Sequence, residues 1–311
     1  MYFANVESAC RVLIQEPKLL TKRFPLGNGV ITPTLVPGRV CRKTLSLALV
    51  VTLLSWAVPS SYAQFSYFQN FDSMGPSGTT LPLLWTAGYL GVQSANNRLA
   101  MTPYAGNGLA IVAMPISVSD GSAYPNPNVG TVLNLGRTGS PNRALGGYPR
   151  TTPSGDQIIQ VALRNFTGAP LDTIHLSYWG EQWNQAQGSS SSGPEMLRVL
   201  ASPTSATDGF TYYPAFDFVA PHQGPGATNP LALDGDAAAN RVFISGYINF
   251  QTTVPIGGTF YVRWHDWNDN GTSDIFLGID DVTIIFIPEP GTVSMLLLGL
   301  GALISRRLRR K

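Results

Sequence analysis

Residues 174–179 read Ile-His-Leu-Ser-Tyr-Trp, and residues 260–265 read Phe-Tyr-Val-Arg-Trp-His. In the first, Ile174, Leu176 and Tyr178 share one parity and His175, Ser177 and Trp179 the other. In the second, Phe260, Val262 and Trp264 alternate with Tyr261, Arg263 and His265. Period two with one apolar face is the signature of a half-buried antiparallel strand, because successive side chains point to opposite sides of a sheet. The pattern repeats outward. Ile159, Val161 and Leu163 share a parity, as do Val242, Ile244, Ile248 and Phe250, and Val282, Ile284 and Phe286. The connections are rich in Gly, Pro, Asn and Ser, as at residues 124–128 and 188–193. No helix-period stretch and no internal repeat stands between them. Many short strands with turn-rich links predict an all-β domain, an antiparallel β-sandwich of the jelly-roll kind.

Both ends of the chain differ from this middle. Arg39, Arg42 and Lys43 precede an apolar run from Leu45 to Val58, then Ser61-Tyr62-Ala63. A positive region, an apolar region and a small-x-small site predict a secretory signal peptide, cleaved between Ala63 and Gln64. The 38 residues before Arg39 are unusual for such a signal. The expectation is initiation near Val36 or Val40, a long leader being the alternative. At the other end, Pro288-Glu289-Pro290 precedes the uncharged stretch Gly291–Ser305 and then Arg306-Arg307-Leu308-Arg309-Arg310-Lys311. As a helix, those 15 residues would span about 22 Å. The hydrocarbon core is about 30 Å thick, and the flanking cations can snorkel to make up length. The expected organisation is therefore a leader over 1–63, an ectodomain over 64–287, and a transmembrane tail over 288–311.

The tail resembles the PEP-CTERM sorting signal: the triplet Pro288, Glu289, Pro290, an apolar segment, and the basic cluster Arg306, Arg307, Arg309, Arg310. The resemblance implies export, an intermediate held in the inner membrane by the tail, and processing by an exosortase-type protease. It also implies a destination at the cell surface, outer envelope or extracellular matrix, among polysaccharide. A second resemblance lies inside the domain. Gly278-Ile279-Asp280-Asp281-Val282-Thr283-Ile284 is similar to the closing strand of concanavalin-like and MAM-like jelly rolls. Gly180-Glu181-Gln182-Trp183 and Leu233-Asp234-Gly235 look like further landmarks of exported sandwich domains that carry PEP-CTERM tails.

Charge and cysteine narrow the function. Residues 64–287 hold eight Arg and no Lys against thirteen Asp and two Glu, a formal charge of −7, although the whole chain stands at +2. An acidic, lysine-free domain is a poor nucleic-acid binder, which needs a basic surface. Cys10 and Cys41 both precede the expected cleavage site, so the mature domain is expected to lack disulfides.

Two candidate sites emerge. Asp266, Asn268, Asn270 and Asp274 stand at positions 1, 3, 5 and 9 of a loop with Gly271 at position 6, the opening of a calcium loop. Position 12 is Leu277 rather than Glu, so Asp280 or Asp281 would have to fold back to complete a structural calcium cage. The plainer reading is an Asx-rich turn. The second candidate is an outward ligand face on which Trp179, Tyr261 and His265 offer stacking planes and hydrogen-bonding edges to a sugar. Phe243, Ser245 and Tyr247 share a parity beside it. The plainer reading there is an ordinary outer face, or one covered by a loop. Catalysis is disfavoured. The only two Glu of the domain, Glu181 and Glu195, are set apart by the Ser-rich loop, though Glu181 beside Trp183 has the setting of a general acid. No nucleophile elbow, zinc motif or phosphate loop is present, and His175, His222 and His265 are scattered. The expectation is a non-catalytic module binding carbohydrate, calcium or both; the alternatives are a purely structural matrix component and, third, a secreted glycoside-active enzyme.

Overall fold

The chain divides into two units, Met1–Leu53 and Leu54–Lys311, and every described residue lies in the second. The computed structural model describes residues 65–91, 100–125, 129–151, 154–185, 194–223, 231–268, 275–288 and 306–307. The signal peptide with Ala63 and Gln64, the loop residues Asn270 and Asp274, and the tail residues Glu289, Pro290, Arg309 and Arg310 therefore lie outside the described residues.

In chain order the strands are β1 Phe65–Gln69, β2 Trp85–Gly91, β3 Ile111–Ala113, β4 Ile116–Ser119, β5 Thr131–Leu135, β6 Ala144–Tyr148, β7 Arg150–Thr151, β8 Ser154–Arg164 and β9 Leu171–Gln182. They continue with β10 Asn184–Gln185, β11 Met196–Ser202, β12 Thr211–Tyr212, β13 Phe218–Val219, β14 Leu231–Ala232, β15 Arg241–Val254, β16 Thr259–Asp266 and β17 Leu277–Pro288. One sheet runs β15-β9-β17-β6-β5-β4, with β1 beside the second half of β17. The other runs β12-β11-β16-β8-β2-β3, with β13 on β11 and β7 on β8. The large sheets are antiparallel except for the parallel pair β4–β5. The result is a two-sheet β-sandwich, as the alternation predicts.

The predicted parities decide which faces meet. Ile174, Leu176 and Tyr178 of β9, with Ile279, Val282, Ile284 and Phe286 of β17, pack against Ile159, Val161 and Leu163 of β8 and Phe260, Val262 and Trp264 of β16 in one buried core. Trp264 stacks on Trp85 at 5.7 Å between centroids and meets the Tyr178 ring edge-on at 5.6 Å. The Tyr178 hydroxyl would be orphaned here, and it donates to the Phe216 carbonyl at 2.6 Å. Val242 is the exception, 43% exposed at the start of β15.

One irregularity positions side chains that matter below. Ile279 and Val282 both face the core although three residues apart, which period two forbids. The β9–β17 register shifts between Asp280 and Thr283, and Asp281 takes a left-handed φ of 49°. A bulge thus absorbs the extra residue and re-aims the two aspartates. Among the described residues no helix is long and apolar enough to cross a membrane. The expected span Gly291–Ser305 falls outside them, and Arg306 and Arg307 form an exposed helical turn.

Candidate functional site

The two outer faces have opposite fates. On the second sheet the face carrying Tyr261, Arg263 and His265 is covered. Leu90, Tyr104, Ile158, Leu200 and Phe210 form a small second core over it, against which Tyr261 packs half-buried. Arg263 is completely buried. It donates to Gln160 Oε1 at 2.9 Å, the Tyr104 hydroxyl at 3.0 Å and the Ala206 carbonyl at 2.9 Å, and its guanidinium lies 3.8 Å from the Phe210 ring centre. His265 is equally buried, with Nε2 2.8 Å from Asp156 Oδ2 and Nδ1 3.2 Å from the Tyr104 hydroxyl. Burial pulls the His265 pKa down, against the pull of Asp156, so the imidazole favours its neutral form. Burial likewise lowers Arg263 and raises Tyr104.

This corrects the expected ligand face. Trp179 stands on the first sheet and Tyr261 and His265 on the second, so the three do not share a surface. His265 is walled in by satisfied partners. The cover comes from residues around Tyr104, more than 150 positions away in sequence from His265, which is why alternation alone does not reveal it.

The first sheet keeps its outer face open across β9 and β15. The register pairs Trp179 with Phe243, Ser177 with Ser245, His175 with Tyr247 and Thr173 with Asn249. Phe243 is 52% exposed and Tyr247 63%. The Trp179 and Phe243 rings are 5.2 Å apart, His175 meets Tyr247 edge-on at 5.0 Å, and the Arg241 guanidinium lies 4.3 Å from the Trp179 centre. Between the aromatics the polar groups hold one another: His175 Nε2 is 3.1 Å from Ser245 Oγ, and Thr173 donates to Asn249 Oδ1 at 3.0 Å. The surface extends over β17 and β1, where Thr283 and Ile285 pair with Phe68 and Ser66. Phe68, 58% exposed, escaped the sequence reading because it sits in a five-residue edge strand with aromatics on both parities.

The acidic residues also regroup. Asp266 ends β16 and is buried; Asn268 is buried with its backbone N–H on Asp156 Oδ1 at 2.9 Å and its side-chain amide on the Arg150 carbonyl at 2.8 Å. Asn268 thus ties the loop to β7 and β8. Asp280, placed by the bulge, stands with Glu181 of β9 and Asp236 of the loop before β15, one oxygen of each lying within 4.8 Å of the others. Glu181 accepts from Trp183 Nε1 at 3.0 Å, and burial pushes its carboxyl up to about 8. Asp236 gave no signal in the sequence beyond the neighbouring Leu233-Asp234-Gly235.

Comparison with known proteins adds little about the domain and one firm statement about the tail. None of the curated proteins matches the chain. Among solved structures, the K3 cleaved adhesin domain of Lys-gingipain from Porphyromonas gingivalis is similar at 14% identity, over 71% of this chain and 99% of that one, with a TM-score of 0.35. The C-terminal family 22 carbohydrate-binding module of Clostridium thermocellum Xyn10B is similar at 16% identity, over 75% of this chain and 99% of that one, also with a TM-score of 0.35. A family 35 carbohydrate-binding module from Clostridium thermocellum is similar at 12% identity, over 51% and 88% respectively, with a TM-score of 0.24. These overlaps are too loose to carry a ligand or a site residue across. The tail is different in kind: residues 286–311, which hold the triplet and the terminal arginines, match the PEP-CTERM protein-sorting motif, which implies export and sorting to the cell surface or extracellular space.

Proposed function

We propose that this chain is an exported, non-catalytic binding module that holds extracellular polysaccharide across the outer face of β9 and β15. The observation that carries the reading is the open platform itself. Phe243 and Tyr247 are exposed, the half-buried Trp179 lies beside Phe243 with Arg241 over its ring, and His175, Ser177, Ser245, Thr173 and Asn249 bring hydrogen-bonding groups between them. A pyranose offers the complementary chemistry, an apolar face that stacks and a polar edge that needs direction. Exposed aromatic side chains grouped on one outer face are a feature of interaction sites. The eight residues that β9 and β15 turn outward here include no carboxylate, whereas glycoside hydrolysis needs two flanking the bond. That favours binding over turnover.

The tail sets the context. β17 runs to Pro288, so the sorting triplet begins where the last strand ends. In this reading Gly291–Ser305 holds the precursor in the inner membrane and an exosortase acts at the triplet. Pro288 pairs with Leu171 at the opposite end of β9 from Trp179, eight residues or about 26 Å away. The Trp179–Phe243 end of the platform therefore stands clear of the anchored end, while its Thr173–Asn249 end lies beside it.

The test is retardation of the full-length chain in a gel containing exopolysaccharide purified from the producing cells. Trp179→Ala and Phe243→Ala are each expected to weaken binding about tenfold, equivalent to about 1.4 kcal/mol. Phe166→Ala serves as a control, its ring being exposed but packed against Phe65 rather than on the platform. No retardation, or retardation equal in all three variants, would reject the platform and leave a structural matrix role.

A further inference from the structure

We infer that Glu181, Asp236 and Asp280 form a divalent-cation site, with calcium as the ion it fits, at the end of β9 beyond Trp179. The site differs from the Asp266–Asp274 loop singled out from the sequence, and it rests on no assumption about polysaccharide.

Geometry comes first. The three carboxylates each bring an oxygen within 4.8 Å of the other two. Oxygens bound to one calcium at 2.3–2.6 Å lie at most about 5 Å apart, so these separations suit a shared ion with at most a small inward adjustment of the side chains. Three separate elements deliver them: strand β9, the β17 bulge, and residues 233–240. That last segment is fastened down. The Leu233 N–H donates to the Trp183 carbonyl at 2.9 Å, the Gln182 N–H to the Asn240 carbonyl at 2.8 Å, and the Asn240 side chain to the Asp234 carbonyl at 2.7 Å. Gly235 lies so close to the Trp183 ring that a Cβ there would approach it to 2.2 Å.

The second observation is an oxygen without a partner. Glu181 is fully buried; its Oε2 takes the Trp183 indole proton, and its Oε1 is buried with no hydrogen-bond partner. A buried carboxylate oxygen left in this state costs the full desolvation of the group. Asp280 is 3% exposed, and one of its oxygens accepts from the Asp281 N–H at 2.7 Å. Asp236 accepts from the Asn142 amide at 2.5 Å. Glu181 and Asp280 are both buried beside Asp236, so like charges are brought together out of water. Two cations lie near, Arg143 beside Asp236 and Arg241 beside Glu181, but the Arg143 guanidinium donates to Asn134 Oδ1 and the Asn134 carbonyl and that of Arg241 is drawn over the Trp179 ring. A divalent cation supplies the missing charge and the missing partner together. An all-oxygen cage with three carboxylates on an irregular backbone suits calcium better than magnesium, which demands near-ideal octahedra and keeps its waters.

The experiment uses terbium as the calcium probe, because Trp183 lies against Glu181 and is placed to sensitise it. The chelator-washed full-length chain, excited in the tryptophan band, is expected to give terbium emission that calcium displaces and magnesium displaces poorly. Millimolar calcium alone is expected to raise Tm by several degrees. Glu181→Gln and Asp236→Asn are each expected to reduce emission at least tenfold. Asp236→Asn keeps an oxygen for Asn142 and removes only charge, so its loss of emission is not a loss of fold; far-ultraviolet circular dichroism checks this. Asp266→Asn is expected to leave emission unchanged. Absence of both emission and thermal shift overturns the inference, as does emission lost in Asp266→Asn but kept in Asp236→Asn, which assigns the ion to the other loop. Terbium binding with failed polysaccharide binding would reject the platform while leaving this site in place.

Discussion

At the scale of single residues, His265 is the group whose chemistry changes most between sequence and structure. Read as an outward residue, it is an available ring; folded, it is sealed between Asp156 and Tyr104 with Arg263 and Arg198 near enough to oppose its protonation. Its pKa is lowered in the folded protein from about 6.5 in the unfolded chain. The sign follows directly. Above pH 6.5 the imidazole is neutral in both states; below it the unfolded chain takes up a proton that the folded chain resists, so this group's contribution to stability is lost as pH falls. The slope it adds reaches at most about 1.4 kcal/mol per pH unit. Urea unfolding midpoints measured between pH 7.5 and 5 are therefore expected to fall more steeply for the native chain than for His265→Gln. Parallel slopes would mean that His265 titrates normally. The same reasoning separates legible from illegible residues. Trp179 is outward by parity and faces outward in fact, partly covered only by Arg241 and the neighbouring Phe243. Arg263 and His265 share that parity pattern and are buried, because Tyr104 and Phe210 arrive from remote segments.

At the scale of elements, long strands with strict alternation declare themselves: β8, β9, β16 and the second half of β17 follow the sequence pattern. Two kinds of element do not. β6 reads Ala-Leu-Gly-Gly-Tyr and is buried throughout, so it has no polar face to alternate with. Its glycines are there for contact. A Cβ on Gly146 would meet the Leu277 carbonyl at 2.2 Å and the Gly278 Cα at 2.7 Å, across the β6–β17 ladder. Gly146→Ala is expected to cost about 1–3 kcal/mol by forcing the two backbones apart. Denaturant unfolding checks it. A loss below 0.5 kcal/mol would show that β6 shifts freely. The other hidden element is the bulge at Asp280 and Asp281. The Ile-Asp-Asp-Val spacing in the sequence is a defect in period two, and it is this defect that turns Asp280 toward Glu181. The carboxylate cluster is therefore half visible: the sequence offers Asp280 as an oxygen ligand beside the Asp266–Asp274 loop, whereas the fold sets it with Glu181, 99 residues away, and Asp236, on a loop with no periodicity at all.

At the scale of the whole molecule, the distribution of charge and the position of the tail belong to one arrangement. All four lysines of the chain lie at residues 18, 22, 43 and 311, outside the sandwich, while the sandwich itself is acidic. A strongly negative, lysine-free domain joined to a terminal basic cluster separates what is expected to face outward from what is expected to stay at the cytoplasmic side, since positive charge beside a span resists translocation. β17 ends at the sorting triplet, so processing there would leave the sandwich whole: the last core residue, Phe286, lies two positions before Pro288. The corresponding prediction concerns processing and binding at once. With Pro288, Glu289 and Pro290 all changed to Ala, cells are expected to accumulate a membrane-associated precursor and to lose the processed form, read by immunoblot of fractionated cells. The detergent-solubilised precursor is expected to keep its retardation in polysaccharide gels, because Trp179 and Phe243 sit at the far end of β9 from Pro288. If the variant is processed normally, the triplet is not the recognition element. If it stays in the membrane but no longer binds polysaccharide, the platform depends on the tail end of the sandwich, and the separation of sorting from binding along β9 fails.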